Sequence, residues 1–112
     1  MKKLFVAVSL LLAASAYAED GVKLCPGMYK VLAEDAKVRV LKTTQKKGEH
    51  CAMHTHKAIA AYVTKDSEVT YVSPNGTKKS LKYKAGDAFL RPAVEHAHTA
   101  ISDTEAVLVE FK

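Results

Sequence analysis

The sequence predicts an all-β domain, and three observations support this prediction. After residue 18, no stretch carries the apolar period of a long helix, and no internal repeat or low-complexity tract occurs. Short runs rich in β-branched and aromatic residues recur instead, and turn residues separate them. Many short, closely spaced strands are typical of a β-sandwich or a β-barrel, and they argue against a βαβ fold.

Nine strands are predicted from these runs. They are expected near Tyr29–Leu32, Val38–Thr44, Cys51–His56, Ile59–Thr64, Val69–Ser73, Ser80–Lys84, Ala88–Arg91, Glu95–Ile101 and Ala106–Phe111. The turn Pro74-Asn75-Gly76-Thr77 gives the strongest hairpin signal, because Asn-Gly readily supplies two residues at positive φ. Gly48 and Gly86 mark two further turns. Only the stretch Tyr29–Ala36 has a helix as its alternative.

The first eighteen residues are predicted to be a signal peptide that does not belong to the fold. Lys2 and Lys3 precede an apolar stretch from Leu4 to Ala14, and Ala16-Tyr17-Ala18 supplies the small residues that a signal peptidase recognises. The apolar stretch is short for a bilayer core of about 30 Å, so a transmembrane anchor is the weaker alternative. We therefore expect residues 19–112 to form one periplasmic or secreted domain without a membrane attachment.

The charge of the remaining chain is mild. Without residues 1–18 and their two lysines, 94 residues carry 15 basic and 12 acidic side chains, a net charge of +3. Lys78, Lys82 and Lys84 resemble a nucleic-acid-binding stripe, but apolar residues alternate with the last two, as on a half-buried strand with a solvated face. Nucleic-acid binding is therefore not expected. A homodimer remains open, because nothing in the sequence sets the oligomeric state.

Cys25 and Cys51 are the only two cysteines of the chain. An oxidising compartment permits a disulfide bond between them, and closing a loop of this length would stabilise the fold by about 3 kcal/mol. The alternative is a pair of free thiols, one packed and one in a loop. The spacing alone does not decide between them, although export favours the bond.

All five histidines lie in two segments: His50, His54 and His56 in one, and His96 and His98 in the other. Residues two apart on a strand project from the same face, so each His-x-His pair points one way. Two neighbouring strands with such pairs would bring imidazole nitrogens within about 2.0–2.2 Å of one ion. Imidazole suits zinc, copper, iron and nickel. Surface histidines on edge strands are the alternative, but two pairs with no histidine elsewhere favour a metal site.

The spacing of these residues resembles the cupin family. Gly48 is followed after five residues by His54-Thr55-His56, as at the opening of the first cupin motif. Gly86 is followed after five residues by Pro92, as in the second motif, and His96 comes after that proline. A hairpin of about 30 residues separates the two motifs, which is also the arrangement in the family.

The resemblance extends from about Val31 to Phe111 and carries expectations for fold and site. It implies a double-stranded β-helix, the jelly-roll barrel of the cupins. It also implies one divalent transition-metal ion, which can be Fe, Mn, Ni, Zn or Cu, held by His54, His56 and His96.

The sequence departs from the family pattern at three places. Ala60 and Ala61 occupy the positions where the first motif carries a glutamate ligand. The interval from the proline to the histidine is one residue short, with Val94 where a glycine is usual, and Ala100 replaces an asparagine. These changes leave the fold prediction intact, but they weaken the case for catalysis by the mechanism of the glutamate-containing members.

The remaining histidines have separate interpretations. His98 shares the face of His96, so it is a candidate fourth metal ligand or a side chain that contacts one of the ligands. The alternative is that it only lines the cavity. His50 has the parity of His54 but adjoins the turn at Gly48, which places it at the rim of the site.

Three other side chains bear on the site. Cys51 and Met53 fall on the face opposite to the histidines if the strand is regular, which argues against a soft copper site, whereas a bulge would reverse this placement. Arg91 lies near the predicted barrel mouth, where it could meet an anionic ligand. A solvated arginine or a surface ion pair is the alternative.

Three functions are compatible with these residues. The first is an exported protein that binds one divalent metal ion and a small-molecule ligand. The second is a metal-dependent enzyme, dioxygenase-like or isomerase-like, in which three histidines leave coordination positions open. The third is a structural or interaction domain without metal. Glu95 has the wrong parity and Glu49 lies in a turn, so no general-base carboxylate is expected near the site, and binding is favoured over catalysis.

Overall fold

The structure, a computed structural model, describes residues 19–112, which form two five-stranded β-sheets. The predicted signal peptide at residues 1–18 lies outside the described residues. One short helix, α1, spans Gly21–Leu24. The ten strands are β1 (Glu19–Asp20), β2 (Tyr29–Glu34), β3 (Val38–Gln45), β4 (His50–His56), β5 (Ile59–Lys65), β6 (Ser67–Val72), β7 (Lys78–Tyr83), β8 (Ala88–Arg91), β9 (Val94–Ala100) and β10 (Thr104–Phe111).

The first sheet has the strand order β1-β4-β9-β6-β7, and the second has the order β2-β3-β10-β5-β8. All neighbouring strands are antiparallel except β1, which runs parallel to β4. The prediction of an all-β jelly-roll is confirmed. Each of the nine predicted strands is present, and Tyr29–Glu34 is a strand and not a helix. Sequence analysis missed β1 and α1.

Side-chain alternation explains how the strands bury one face. In β5, Ile59, Ala61 and Val63 are buried, whereas Tyr62 and Thr64 point to solvent. The hairpin between β6 and β7 turns at Gly76, whose φ of 89° favours a residue without a side chain. Period-two burial therefore sets the register of the strands that carry the site.

The hydrophobic core lies on the inner face of the second sheet. Its buried members are Tyr29, Leu41, Ile59, Ala61 and Leu108. Burying each large apolar side chain contributes about 1.5–3 kcal/mol. The inner face of the first sheet differs, because histidines occupy it.

A disulfide bond ties the N-terminal segment to the first sheet. Cys25 is bonded to Cys51, with 6.1 Å between their Cα atoms, so the disulfide interpretation is confirmed. The bond joins the turn after α1 to the early part of β4. None of the helices among residues 19–112 combines the length and the apolar character that crossing a bilayer requires.

Candidate metal centre

Strands β4 and β9 bring four histidines together. The two strands are antiparallel neighbours, and His54 lies directly opposite His96. His54, His56, His96 and His98 are 0%, 4%, 4% and 6% exposed, so all four rings are buried. One nitrogen from each ring lies within 4.8 Å of the others. The two His-x-His pairs thus converge on one point inside the barrel.

A β-bulge in β4 determines which side chains of this strand face the barrel interior. Cys51 pairs with His98 and His54 with His96, so β4 contains one residue more than β9 over this interval. The extra residue turns Cys51 inward, and its Sγ lies 3.3 Å from His54 Nδ1. The expectation that Cys51 lies on the opposite face is therefore wrong, although its disulfide bond leaves no thiolate for a metal.

The bulge also separates His50 from the buried histidines. His50 is exposed, and its Nδ1 lies 2.8 Å from the hydroxyl of Thr99 on the neighbouring strand. Because of the extra residue, His50 and His54 do not share a face as predicted. His50 nevertheless lies outside the cluster of buried histidines, as expected. His50 therefore makes a suitable control for experiments on the buried rings.

Helix α1 closes one side of the cluster at a glycine. A Cβ atom on Gly21 would lie 2.8 Å from His54 Cδ2 and 2.9 Å from His56 Cε1. Real Cβ contacts do not reach these distances, so only glycine fits without displacing the rings. Sequence analysis missed this contact, because nothing in the pattern places Gly21 beside β4.

Backbone contact orients His54. Its Nδ1 lies 2.6 Å from the carbonyl oxygen of Ala52, to which it donates a hydrogen bond. This bond fixes the tautomer and leaves Nε2 free to face the cluster. That Nε2 lies 3.1 Å from Nε2 of His56, so the two nitrogens could bind the same ion.

A buried carboxylate from β10 faces His56. Glu110 is 2% exposed, and its Oε2 lies 3.5 Å from His56 Nδ1. Arg39 Nε donates to the other oxygen of Glu110 at 2.9 Å, and the guanidinium also pairs with Asp20 at 3.2 Å. Burial alone would raise the pKa of Glu110, but hydrogen bonds from His56 and Arg39 outweigh it and lower the pKa to about 2.

Glu110 corrects the expectation that no carboxylate lies near the site. Its side chain contacts an imidazole and does not point into the cluster. A carboxylate on the outer nitrogen of a histidine is typical of metal sites, where it sets the orientation of the ring and raises its basicity. A signal for Glu110 was present in the sequence, because it shares the inward parity of Leu108 and follows four apolar residues on the strand.

Tyr29 reaches the cluster from the opposite sheet. Its hydroxyl oxygen lies 3.1 Å from His56 Nε2 and 3.2 Å from His98 Nε2. Burial, the largest influence, raises the pKa of Tyr29, so the phenol keeps its proton. One hydroxyl can donate to only one of the two rings, and the other ring then donates to it. No motif marked Tyr29 in the sequence.

Burial keeps three of the four clustered histidines neutral. It is the largest cause that lowers the pKa of His54 to about 4, of His96 to about 2 and of His98 to about 3. The positive charge of Arg91 and the neighbouring rings lower these pKa values further. Neutral imidazole is the form that binds a metal ion.

The geometry and the donor chemistry fit a transition-metal ion. Nitrogens bound to one ion at about 2.1 Å lie no more than about 4.2 Å apart, so small rotations of the rings would bring all four onto one ion. His96 Nε2 and His98 Nδ1 are buried and have no hydrogen-bond partner among the described residues. Each such atom costs about 1–3 kcal/mol, which a bound ligand would offset.

A cavity of about 80 Å³ adjoins the cluster. His56, His96 and His98 line it together with Tyr71, Phe89 and Arg91. The structure thus places Arg91 on the cavity wall, as one of its two sequence interpretations proposed. No carboxylate of the described residues lies within ion-pair distance of its guanidinium.

Comparisons with known proteins identify the fold. No family model and no curated protein matches the sequence. Among solved structures, a cupin domain from Bordetella pertussis Tohama I has 19% sequence identity and a TM-score of 0.67, over 75% of this chain and 91% of that one.

Two further structures are similar. A cupin-2 domain-containing protein from Shewanella frigidimarina has 14% identity and a TM-score of 0.55, over 92% of both chains. A double-stranded β-helix protein from Klebsiella pneumoniae has 24% identity and a TM-score of 0.56, over 72% of both chains. These likenesses establish the fold, a small single-domain double-stranded β-helix.

Proposed function

Starting from the cupin fold of this chain, we propose that the protein binds one divalent transition-metal ion through His54, His56 and His96, with His98 as the fourth ligand. The observation that carries the proposal is the convergence of four buried ring nitrogens within 4.8 Å of one another. The all-imidazole donor set suits Fe, Ni, Cu and Zn, and Mn belongs to the same series.

The surrounding contacts support this assignment. His54 Nδ1 is held by the Ala52 carbonyl oxygen, and His56 Nδ1 lies 3.5 Å from the Glu110 carboxylate. The Nε2 atoms of these two rings lie 3.1 Å apart. His96 and His98 keep a buried nitrogen without a partner. This combination of oriented and unsatisfied nitrogens is expected of ligands that await an ion.

A dioxygenase-like or isomerase-like enzyme is the second candidate, and the cavity beside the histidines favours it. A bound ion would supply Lewis-acid chemistry or oxygen activation at that point. The described residues offer little for proton transfer, because Glu110 is turned towards Arg39 and does not line the cavity. Glu105, the carboxylate on the cavity wall, lies at its far end. Tyr29 and the histidines are the proton donors and acceptors in reach. Binding without turnover is therefore the better-supported function.

The proposal includes export. Residues 1–18 act as a signal peptide, and residues 19–112 form the mature domain in the periplasm or outside the cell. The disulfide bond supports this location, because such bonds persist in oxidising compartments. The intact mass of the exported protein tests it, since cleavage after Ala18 leaves Glu19 as the first residue.

Metal analysis of protein purified from its native compartment tests the metal site. Wild type should hold close to one transition-metal ion per chain, and His54→Ala and His96→Ala should each lose stoichiometric binding. His50→Ala is the matched control on the same strand and should keep the ion. Retention of full metal content by both His54→Ala and His96→Ala would show that the shared site does not exist.

His98→Ala distinguishes two forms of the site. Strong loss of metal makes His98 the fourth ligand, whereas full retention makes it part of the cavity wall and leaves a three-histidine centre. Oxygen-consumption assays on the metal-loaded protein then test the enzymatic alternative.

A further inference from the structure

Arg91 brings a positive charge to the cavity wall, and no carboxylate of residues 19–112 lies within ion-pair distance of it. It is the last residue of β8, where Phe89 and Arg91 face inward and Leu90 is 80% exposed. Its Nε is buried and has no hydrogen-bond partner in the described part of the chain. An unpaired guanidinium nitrogen in such a place is costly unless a ligand satisfies it.

The nearby acidic side chains are engaged elsewhere. Arg91 lies opposite Ile59 on β5, whereas Glu105, the acidic residue of the cavity wall, lies opposite Lys65 at the other end of that strand. Six residues of strand correspond to roughly 20 Å. Glu105 pairs instead with Lys42 at 3.3 Å.

Glu110 does not neutralise Arg91 either. Its two oxygens face Arg39 and His56, and Arg39 is shared with Asp20. Asp20 and Glu110 thus share Arg39 as their partner, and neither carboxylate lies within ion-pair distance of Arg91. The positive charge of Arg91 remains available to the cavity.

An aromatic wall connects Arg91 with the histidines. Its Cζ atom lies 5.9 Å from the centre of the Tyr71 ring, and that ring lies 5.1 Å from the ring of His96. The Tyr71 hydroxyl contacts the Tyr83 hydroxyl at 3.1 Å, which holds the ring in place. A ligand beside Tyr71 can thus reach both the guanidinium and the cluster.

We propose that this cavity binds a small carboxylate anion, whose carboxylate pairs with Arg91 while the rest of the molecule lies beside the metal centre. The proposal rests on the metal site for the position of the ligand's other end. A planar guanidinium matches a carboxylate with two parallel hydrogen bonds. A bound metal ion and Arg91 would both add positive charge to the cavity, which favours an anion.

The cavity limits the size of the ligand. A space of about 80 Å³ holds roughly five to eight water-sized groups, which corresponds to a carboxylic acid of two to five carbons. Ile59, Val69 and Phe89 supply apolar surface for its hydrocarbon part.

Isothermal titration calorimetry with acetate and pyruvate tests the proposal, with acetamide and pyruvamide as neutral probes of the same shape. Each titration is run on protein with and without bound metal. Metal-loaded wild type should bind the carboxylates at least tenfold more tightly than the amides. Arg91→Gln should weaken carboxylate binding at least tenfold while its metal content stays at the wild-type level.

Two further variants complete the experiment. Lys82→Gln removes an exposed positive charge from β7 and should bind as wild type does. Arg91→Lys keeps the charge without the planar guanidinium and should bind the carboxylates several-fold more weakly than wild type. This variant decides the outcome if circular dichroism shows that Arg91→Gln does not fold.

Three results would overturn the proposal: carboxylate affinity that Arg91 variants leave unchanged, amides that bind as tightly as carboxylates, or wild type that binds no carboxylate in either metal state. Failure of the metal site has a different signature. Wild type would then take up no metal, while acetate binding in the metal-free protein would still depend on Arg91.

Discussion

Glu110 offers the sharpest test of how the site is supported. Glu110→Gln keeps the size of the side chain but removes the charge that Arg39 and His56 face. Lowering the pKa of Glu110 from 4.5 to about 2 corresponds to about 3 kcal/mol of stability at neutral pH. Breaking a buried ion pair by removing one partner costs about 3–5 kcal/mol, so both approaches give the same magnitude.

Urea denaturation of the metal-free protein at pH 7 measures the effect. Glu110→Gln should lower the free energy of unfolding by about 3 kcal/mol and the melting temperature by roughly 12–24 °C. Glu105→Gln is the matched control, because Glu105 lies on the same strand and pairs with Lys42 at the surface. An exposed pair of this kind contributes less than about 1 kcal/mol.

The pH dependence gives a second readout with a fixed sign. In the unfolded chain, Glu110 takes up a proton near pH 4.5, whereas the folded protein keeps it ionised to about pH 2. Its contribution is therefore present above pH 4.5 and disappears as the pH falls towards 2. If Glu110→Gln unfolded within about 1 kcal/mol of Glu105→Gln, the role of Glu110 as a buried support for His56 would be refuted.

Three further predictions concern the surroundings of the cluster. Gly21→Ala should lower the free energy of unfolding by about 1–3 kcal/mol and weaken metal binding, because its Cβ would meet His54 and His56. Gly27→Ala, whose Cβ would have open space, should change neither quantity. Urea denaturation measures the first quantity and calorimetric titration with metal the second. Replacing both Cys25 and Cys51 by serine should lower the free energy of unfolding in urea by about 3 kcal/mol, and an unchanged urea midpoint would contradict this. The metal-free protein should lose stability as the pH falls from 6.5 to 4, by up to about 1.4 kcal/mol per pH unit for each of His54, His96 and His98. The cause is that these histidines bind protons in the unfolded chain but stay neutral when buried. A urea midpoint that does not change with pH would contradict this prediction.

The strands were predictable because their burial repeats every two residues, and this period depends only on local sequence. The same parity placed His54 on one face with His56 and His96 on one face with His98. The resemblance to the cupin motifs implied that the two strands are neighbours. Parity failed within β4, where one extra residue between Cys51 and His54 reversed the faces of Cys51 and His50. A bulge of this kind depends on pairing with β9, which no pattern within β4 reveals.

Contacts between distant segments account for the features that the sequence did not reveal. Tyr29 and Glu110 reach the histidines from the second sheet, 27 or more residues away along the chain, and only the packing of the two sheets brings them there. Gly21 is close to the rings because β1 pairs with β4 and because a disulfide bond follows at Cys25. Such contacts leave at most a weak local signal, as with the inward parity of Glu110.

The position of Glu110 bears on how the proposed metal site would work without the motif glutamate. Ala60 and Ala61 of β5 stand where the family carries that ligand, and Ala61 is buried in the core. Neither alanine can bind metal, and His98 is the side chain that takes the fourth position in the proposed site. A carboxylate, that of Glu110, lies on the neighbouring strand β10, where it faces Nδ1 of His56. In the proposed site, a carboxylate in that position would raise the basicity of a metal-binding ring without occupying a coordination position.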